Sequence, residues 1–515
     1  MSQPSPLLPA TTGLAKLRRD GLFSRDLTAS IVVFLVAMPL CMGIAIASGL
    51  PPEKGLVTGI VGGIVVGALA GSPLQVSGPA AGLAVIVFEF VRDHGLAALA
   101  PVLLLAGSFQ LAAGAARLGG LFRAISPAVV HGMLAGIGAL IVLGQFHTLF
   151  DAKPLSNGMD NLAAIPGRVL GLSPSDISSN ETALMLGLLT ILVMLAWEKW
   201  RPARLVLVPG ALLGVSIASL AAFGLDLEVA RIDVPASIGA ALDLPHGGFF
   251  APLSQPGLWV SAVAIAFIAS AETLLSAAAV DRMHDGARTD YNKELRAQGL
   301  GNMLCGVLGA LPMTGVIVRS SANVQAGAAT RAATMMHGAW LLALVVLLPG
   351  LLRQVPMAAL GGVLVITGWR LVSLRHAQHL FNTHGPLPAA IWAITFVLVV
   401  STDLLTGVMV GIGLSVIELL PYIRRLGLDV REEPGEETHR ISLSGAATFV
   451  SLSRLTARLE NIPENSTVHL DLHGVRGMDH TTIEMLCEWL ARRKKAGAPV
   501  QVSGPEPITR PLAIA

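Results

Sequence analysis

Long runs of apolar residues, separated by short polar stretches, dominate the first 425 residues of the chain. A run of about 20 apolar residues is long enough to cross a bilayer as a helix. We predict such segments at fourteen places: 28–48, 55–71, 79–91, 97–116, 125–148, 181–198, 204–223, 257–280, 295–311, 315–327, 334–352, 357–373, 386–401 and 404–421. The pattern predicts an all-α polytopic membrane domain over residues 26–425, preceded by a polar segment at 1–25.

Two of these apolar runs are interrupted by the same spacing of glycine and proline. The interruptions are Gly62, Gly67, Leu69 and Pro73, continuing into Ser77-Gly78-Pro79, and Gly301, Gly306, Leu308 and Pro312, continuing into Thr314-Gly315. Each is followed by a segment, 79–91 or 315–327, of only about a dozen residues, too short to cross roughly 30 Å of hydrocarbon. Paired short segments in matching halves of a chain point to the binding site of a secondary transporter.

The two interruptions are 239 residues apart, and seven apolar segments fall in each half of the chain. An odd number of crossings means that the second half enters the bilayer in the opposite sense. We therefore predict a 7+7 inverted repeat, with the two short helices meeting near the middle of the membrane.

The pattern changes after residue 425. A charged stretch at 426–439 is interpreted as a linker, and short apolar alternations follow it. They predict a strand at 440–443, a helix at 450–460, a strand at 468–472, a helix at 480–496 and a strand at 500–502. We expect a small cytoplasmic α/β domain over residues 440–515.

Composition supports a membrane protein and excludes several other classes. The chain has 515 residues, of which 53% are hydrophobic and 13% charged, whereas a soluble domain has about 25% charged residues. A net charge of +2 and the lack of a long basic run give no reason to expect a nucleic-acid partner. The three cysteines are widely separated, so we expect reduced thiols and no metal site. The first 25 residues lack the pattern of a cleaved signal peptide.

Lysine and arginine predict the orientation of the chain. With the N-terminus in the cytoplasm, the cytoplasmic stretches contain about three times as many of these residues as the outer stretches. We therefore expect both termini on the cytoplasmic side. The two long outer loops, about 149–180 and 224–256, are expected to contain short surface helices.

The two short helices predict a site for an anion. The first backbone N–H groups of a helix are unpaired and carry partial positive charge, so two opposed helix N-termini attract an anion. Arg319 lies about one turn into the second short helix and adds a permanent charge. The alternative is that Arg319 pairs with a carboxylate and holds two helices together. His337, at the start of a later segment, is expected at the membrane interface.

Glu272 is a second costly group within an apolar segment, and Ser276 follows it one turn later on the same face. A buried carboxylate is suited to take up and release a proton. Together with Ser276 and nearby carbonyl groups it could instead bind Na⁺. The alternative is a structural carboxylate bonded to backbone where the short helices cross.

Several motifs resemble the SulP (sulfate permease) family of anion transporters over nearly the whole chain. They are Asp26-Leu27-Thr28-Ala29, Gly49-Leu50-Pro51-Pro52, Ser77-Gly78-Pro79, Asn292-Lys293-Glu294-Leu295, Gln298-Gly299-Leu300-Gly301-Asn302, Pro312-Met313-Thr314-Gly315, Arg319-Ser320-Ser321-Ala322-Asn323 and Thr402-Asp403-Leu404-Leu405-Thr406-Gly407-Val408. The tail resembles a STAS domain through residues 468–472 and 477–482.

The resemblance implies a uracil-permease-like fold in which a core domain moves against a gate domain, usually in a homodimer. It implies that the anion binds between the short helices, at Leu40, Ile44, Gly78, Pro79, Ala80, Gly315, Val318, Arg319 and Ser320. It also places Glu272 and Ser276 where sodium-coupled relatives have an acid and a hydroxyl group. Leu40, Ile44, Ala80 and Val318 replace larger or more polar residues of relatives, which implies a roomier and less polar site. His480 stands where related bacterial anti-sigma domains have serine.

From these observations we expect a secondary active transporter of a small anion in a bacterial inner membrane, and neither an enzyme nor a cofactor-dependent protein. A dicarboxylate such as fumarate is favoured, followed by bicarbonate and sulfate, and a proton is favoured over sodium as the coupling ion. A sodium-coupled bicarbonate transporter, a nucleobase permease and an uncoupled anion channel remain alternatives.

Overall fold

The computed structural model describes residues 22–122, 126–155, 157–171, 179–205, 207–233, 238–281, 283–284, 286–418, 428–434, 438–460, 462, 466–495, 497–498, 500–510 and 512. Most of the polar segment 1–25 and part of the expected linker 426–439 lie outside these residues.

Helices make up most of the described chain up to residue 418. They are α1 (Leu22–Ala47), α2 (Pro52–Leu69), α3 (Ala81–His94), α4 (Leu96–Ala115), α5 (Pro127–Thr148), α6 (Gly158–Leu170), α7 (Ser179–Trp200), α8 (Gly210–Gly224), α9 (Pro256–Asp281), α10 (Tyr291–Val307), α11 (Ile317–Gln325), α12 (Ala332–Leu347), α13 (Met357–Leu371), α14 (Leu374–His384), α15 (Pro386–Ser401) and α16 (Leu404–Glu418). Each of the fourteen segments predicted from the sequence overlaps one of these helices.

Six described helices are long and apolar enough to cross a membrane: α1, α2, α4, α5, α7 and α9. The other apolar segments form shorter helices. Of the two helices outside the predicted segments, α6 lies within residues 149–180, the predicted outer loop in which a surface helix was expected. The other, α14, was not predicted from the sequence.

The two short helices begin later than predicted. Residues 79 and 315 belong to short strands, β1 (Ser77–Pro79) and β2 (Met313–Gly315), and the helices α3 and α11 begin two residues beyond them. The residues that precede the helices, Ala80 and Val316, have extended backbone angles. Each short helix is therefore preceded by a short strand and one residue with extended backbone angles.

Two further segments differ in detail from the prediction. The segment 334–352 is divided, because α12 ends at Leu347 and a separate turn, Pro349–Leu352, follows. Proline lacks the N–H group that would continue the helix. Within α2, residues Gly62–Val66 form a π-helical turn, which lies in the first glycine-rich interruption.

The helices α4 and α10 pack with their backbones close together. A Cβ atom added to Gly107 would lie 2.5 Å from the carbonyl oxygen of Gly299, and one added to Gly299 would lie 2.6 Å from the carbonyl oxygen of Gly107. Small residues allow such an approach between membrane helices. This packing positions α10 beside the strand β2.

The chain divides into two compact units. The first contains residues 1–119 and 137–371, and the second contains residues 120–136 and 372–515. In the second unit, Ala128, Val129 and Ala135 from the start of α5 share an apolar cluster with Ile391 and Trp392 of α15.

The second unit also contains a four-stranded sheet in the order β3-β4-β5-β6. Its strands are β3 (Leu428–Pro434), β4 (Thr438–Ala447), β5 (Thr467–Met478) and β6 (Val500–Ser503), with helices α17 (Phe449–Glu460) and α18 (His480–Lys495). The pair β3–β4 is antiparallel, and the pairs β4–β5 and β5–β6 are parallel. The expected α/β domain is present, with its helices and strands close to the predicted positions.

The expected linker 426–439 is wrong in part, because β3 lies within it. Leu428 is buried in the core of the α/β domain, and Val430 packs against that core. The intervening Asp429 and Arg431 point away and form an exposed ion pair. This period-two alternation is typical of a half-buried strand, although its charged residues resemble those of a linker.

Candidate functional site

The candidate site is built around the pairing of two strands that are distant in the sequence. Strands β1 and β2 are antiparallel, with Ser77 opposite Gly315 and Pro79 opposite Met313. The ribbon continues beyond the strands, since the N–H group of Val316 donates to the carbonyl oxygen of Val76 over 2.9 Å. The pairing brings the starts of α3 and α11 together.

Neither short helix is capped by the side chain of the residue that precedes it. Ala80 precedes α3 and Val316 precedes α11, and neither side chain can accept a hydrogen bond from the first turn. The uncapped N–H groups give each helix start a partial positive charge. Two such ends therefore lie at the same strand pair.

Arg319 lies in the first turn of α11 and is fully buried. Its Nη2 atom donates to the carbonyl oxygen of Pro79 over 3.3 Å, whereas Nε and Nη1 have no hydrogen-bond partner among the described residues. The guanidinium group lies close to Gly78, where an added Cβ atom would be 2.1 Å from Nη1. Cys41 and His337 are its titratable neighbours. No carboxylate pairs with it in the described part of the chain.

Glu272 meets the other helix N-terminus. Its carboxylate accepts a hydrogen bond from the backbone N–H of Gly82, in the first turn of α3. The contact is tight, since a Cβ atom added to Gly82 would lie 2.6 Å from Oε2 of Glu272. That Oε2 atom is buried and has no hydrogen-bond partner in the described residues. Glu272 therefore occupies one of the two positive helix ends and keeps one oxygen free.

Thr273 connects the same helix, α9, to the strand pair. Its hydroxyl group accepts from the N–H of Gly315 over 3.1 Å, and its carbonyl oxygen accepts from Nε2 of Gln75 over 2.9 Å. Thr273 was not predicted as a site residue from the sequence, although it adjoins Glu272 in the chain. Adjacent residues of α9 thus contact the start of α3 and the second strand.

The remaining residues expected at the site have different environments. Leu40 and Ile44 are buried one turn apart on α1, and Ala80 is buried at the start of α3. Val318, by contrast, is 40% exposed. Ser276 is buried on α9, one turn beyond Glu272.

The hydroxyl group of Ser320 makes hydrogen bonds to backbone groups of the protein. It accepts from the N–H of Val76 over 2.9 Å and donates to the carbonyl oxygen of Val316 over 2.7 Å. It therefore holds α11 against the chain that leads into β1. His337, which was expected at the membrane interface, is fully buried within the protein and has Arg319 as a charged neighbour.

Comparison with known proteins agrees with this architecture. The model of the sulfate permease family matches residues 23–395, and a model described as Mlab, STAS domain, matches residues 430–515. The putative sulfate transporter YvdB of Bacillus subtilis is 29% identical over 94% of this chain and 91% of its own length. The bicarbonate transporter BicA of Synechocystis is 28% identical over 78% of this chain and 70% of its own length.

Solved structures share the fold. The transmembrane domain of a cyanobacterial bicarbonate transporter BicA aligns with a TM-score of 0.64 and 21% identity, covering 76% of this chain and 97% of that domain. The overall structure of SLC26A9 aligns with a TM-score of 0.68 and 15% identity, covering 99% of this chain and 88% of that one. The polytopic helical fold and the C-terminal α/β domain are thereby confirmed.

Proposed function

The chain belongs to the sulfate permease family of membrane transporters, and from that premise we propose that it takes up a small anion together with a proton by alternating access. The observation that carries the proposal is the meeting of two helix N-termini, neither capped by the residue before it, beside Arg319, a buried cation whose Nε and Nη1 atoms have no hydrogen-bond partner among the described residues. Anions bind at helix N-termini, and a guanidinium group binds carboxylates and other oxyanions through paired donors. An uncharged nucleobase would leave this positive charge without a partner.

Glu272 supplies a physical route for proton coupling. While ionised, the carboxylate accepts a hydrogen bond from the N–H of Gly82 and neutralises part of the positive charge at the start of α3. An incoming anion needs that same positive charge. Protonation removes the negative charge and weakens this competition. Proton binding therefore favours anion binding, and by linkage the anion favours protonation to the same extent.

The charges at the site fit this coupling. The two helix ends contribute about half a positive charge each, and Arg319 contributes one more. An ionised Glu272 reduces the total to about one positive charge, whereas a protonated Glu272 leaves about two. The protonated site is thus suited to a doubly charged anion.

Sodium is a weaker candidate for the coupling ion. The free oxygen of Glu272 and the hydroxyl group of Ser276 lie on the same face of α9. A hard cation prefers several oxygen ligands, and Glu272 with Ser276 provides only one carboxylate and one hydroxyl group from this face of α9. A single carboxylate with one free oxygen accepts a proton more readily than it encloses an ion.

For the substrate we propose a dicarboxylate such as fumarate, with bicarbonate as the second candidate. The small Ala80 side chain and the apolar Val318 at the starts of α3 and α11 leave recognition to backbone donors and Arg319. Two carboxylate groups of one ligand would match the two helix ends. Bicarbonate is favoured by the relatives that are named bicarbonate transporters, and sulfate by those named as sulfate transporters.

We also propose that the protein is a homodimer in a bacterial inner membrane, with both termini in the cytoplasm. The distribution of lysine and arginine supports this orientation. The seven-plus-seven inverted repeat belongs to the same proposal. Its support is the matched spacing of the two interruptions and the antiparallel pairing of the strands that follow them.

The test is uptake of labelled fumarate, bicarbonate and sulfate into proteoliposomes, each with an imposed proton gradient, an imposed sodium gradient or neither. We expect fumarate to accumulate above its external concentration only with the proton gradient. Accumulation driven by sodium would overturn proton coupling, and equilibration without accumulation would indicate a channel. Uptake of uracil with no anion uptake would reject the anion assignment.

A further inference from the structure

Helix α10 carries three buried polar side chains, Glu294, Gln298 and Asn302, each one turn from the next. All three are at most 1% exposed. Residues four apart lie on the same helix face, so these side chains form one stripe. The stripe is directed at the segments that lead into both short helices.

Asn302 pairs with β2 as a neighbouring strand would. Its Oδ1 accepts from the N–H of Met313 over 2.7 Å, and its Nδ2 donates to the carbonyl oxygen of Met313 over 3.2 Å. Nδ2 also donates to Oε1 of Gln110 on α4 over 2.7 Å, and Nε2 of Gln110 donates to the hydroxyl group of Ser270 on α9 over 3.2 Å. A chain of hydrogen bonds therefore connects β2 to three helices.

Gln298 and Glu294 hold the other strand and its approach. Nε2 of Gln298 donates to the hydroxyl group of Ser77 over 2.6 Å and to Oε1 of Glu294 over 3.0 Å. Oε2 of Glu294 accepts from the N–H of Ser72 over 2.9 Å. One face of α10 thus binds both strands.

The hydrogen bonds from α10 stabilise a strand pair that is too short to be stable alone. An isolated two-stranded ribbon is at best marginally stable, and here each strand has only three residues. Buried backbone N–H and carbonyl groups also need hydrogen-bond partners. The amide of Asn302 satisfies both groups of Met313 at the edge of the ribbon, which has two strands in the part of the chain that the structure describes.

We propose that Asn302 and Gln298 are positioning residues that fix the separation and alignment of the two helix N-termini, and thereby set the affinity and size preference for the anion. The inference rests on the proposed function, since it assigns residues that act through the same anion site. Neither residue lies in the helices that carry the anion-binding N–H groups. Their effect is transmitted through the strands, which continue directly into α3 and α11.

The test compares Asn302→Ala and Gln298→Ala with the matched control Ser108→Ala. Ser108 lies on α4, and among the described residues its hydroxyl group donates only to the carbonyl oxygen of Leu104 in the same helix. Asn302→Ala and Gln298→Ala each leave buried polar groups without a hydrogen-bond partner. The free-energy cost of one such group is enough to change an equilibrium constant, here that of anion binding, about tenfold or more. We expect half-saturating concentrations for uptake to rise about tenfold in Asn302→Ala, and the ratio between fumarate and bicarbonate to change, with a smaller effect on maximal rate.

A merely structural role would lower the amount of folded transporter and the maximal rate for every anion, without changing the ratio of half-saturating concentrations. That result, in both variants, would overturn the inference while leaving anion transport by the wild-type protein intact. If one variant fails to fold, the other still decides.

Hydrogen exchange of the full-length protein tests the same positions without a substrate. We expect faster exchange of amides in 313–320 for Asn302→Ala and in 77–84 for Gln298→Ala, and no change in Ser108→Ala. Unchanged exchange in both variants would overturn the positioning role even if the wild-type protein transported no anion. Absence of wild-type transport would reject the proposed function separately.

Discussion

Arg319 is a buried cation that the described fold does not neutralise with a carboxylate. Of the two roles that the sequence left open for it, the pairing with a carboxylate is not seen among the described residues. Breaking a buried ion pair typically costs about 3–5 kcal/mol, whereas replacing buried charge by a well-packed apolar side chain is often neutral or stabilising. An arginine kept for an anion should therefore be dispensable for folding.

We expect Arg319→Met to abolish saturable anion uptake while leaving the temperature of thermal unfolding unchanged or higher. Arg319→Lys is the matched control, because it restores the charge without the paired donors of a guanidinium group. It should retain weak uptake. Proteoliposome uptake and thermal unfolding in detergent measure the two effects. A large loss of stability in Arg319→Met would instead indicate a structural ion pair.

Glu272→Gln should separate anion movement from its driving force. Glutamine resembles the protonated carboxyl group in shape but cannot ionise, so the competition at Gly82 is permanently weakened. In the wild-type protein, protonation favours the anion, and half-saturating concentrations should fall as the pH falls. The variant should bind anion independently of pH and about as tightly as the wild-type protein at low pH.

Two assays distinguish these outcomes for Glu272→Gln. Exchange of labelled for unlabelled anion across the membrane requires no coupling and should persist. Accumulation driven by a proton gradient should disappear. Accumulation that survives in the variant would contradict the role of Glu272 as the proton-binding group.

At the scale of elements, the sequence located both interruptions but not the strands within them. A three-residue strand has no detectable period, and β1 and β2 become strands only by pairing across a long separation in the chain. The contact between Glu272 and Gly82 could not be predicted from a local pattern either, since it joins distant parts of the sequence. Gln298 and Asn302 belong to a sequence motif that resembles the family, but their hydrogen bonds to β1 and β2 could be seen only in the structure.

The approach of β1 to Arg319 depends on the absence of a side chain at Gly78. A Cβ atom there would lie 2.1 Å from Nη1, so Gly78→Ala must displace the guanidinium group or the strand. We expect half-saturating concentrations for the anion to rise by about tenfold or more, because small displacements of binding groups have large effects. Gly257→Ala on α9 is the control, since an added Cβ there has no heavy atom within 4 Å. Equal uptake by the two variants would contradict this geometry.

At the scale of the whole molecule, the α/β domain begins earlier than the sequence indicated. Charged residues predicted a linker up to residue 439, whereas β3 occupies Leu428–Pro434 and contributes Leu428 to the domain core. A local pattern could not decide between linker and strand, because the deciding contact is the antiparallel pairing with β4. The boundary matters for any truncation.

We therefore expect deletion of residues 428–515 and deletion of residues 435–515 to behave differently. Both remove the sheet formed by β4, β5 and β6, but the second leaves β3 without its partner strand and with its apolar face uncovered. An unpaired apolar strand promotes association between chains. Size-exclusion chromatography should show more aggregation for the longer variant, despite its seven additional native residues.

Material that remains monodisperse should keep the wild-type order of preference among fumarate, bicarbonate and sulfate, because the residues of the anion site lie outside the deleted range. A changed order would show that the C-terminal domain contributes to substrate choice.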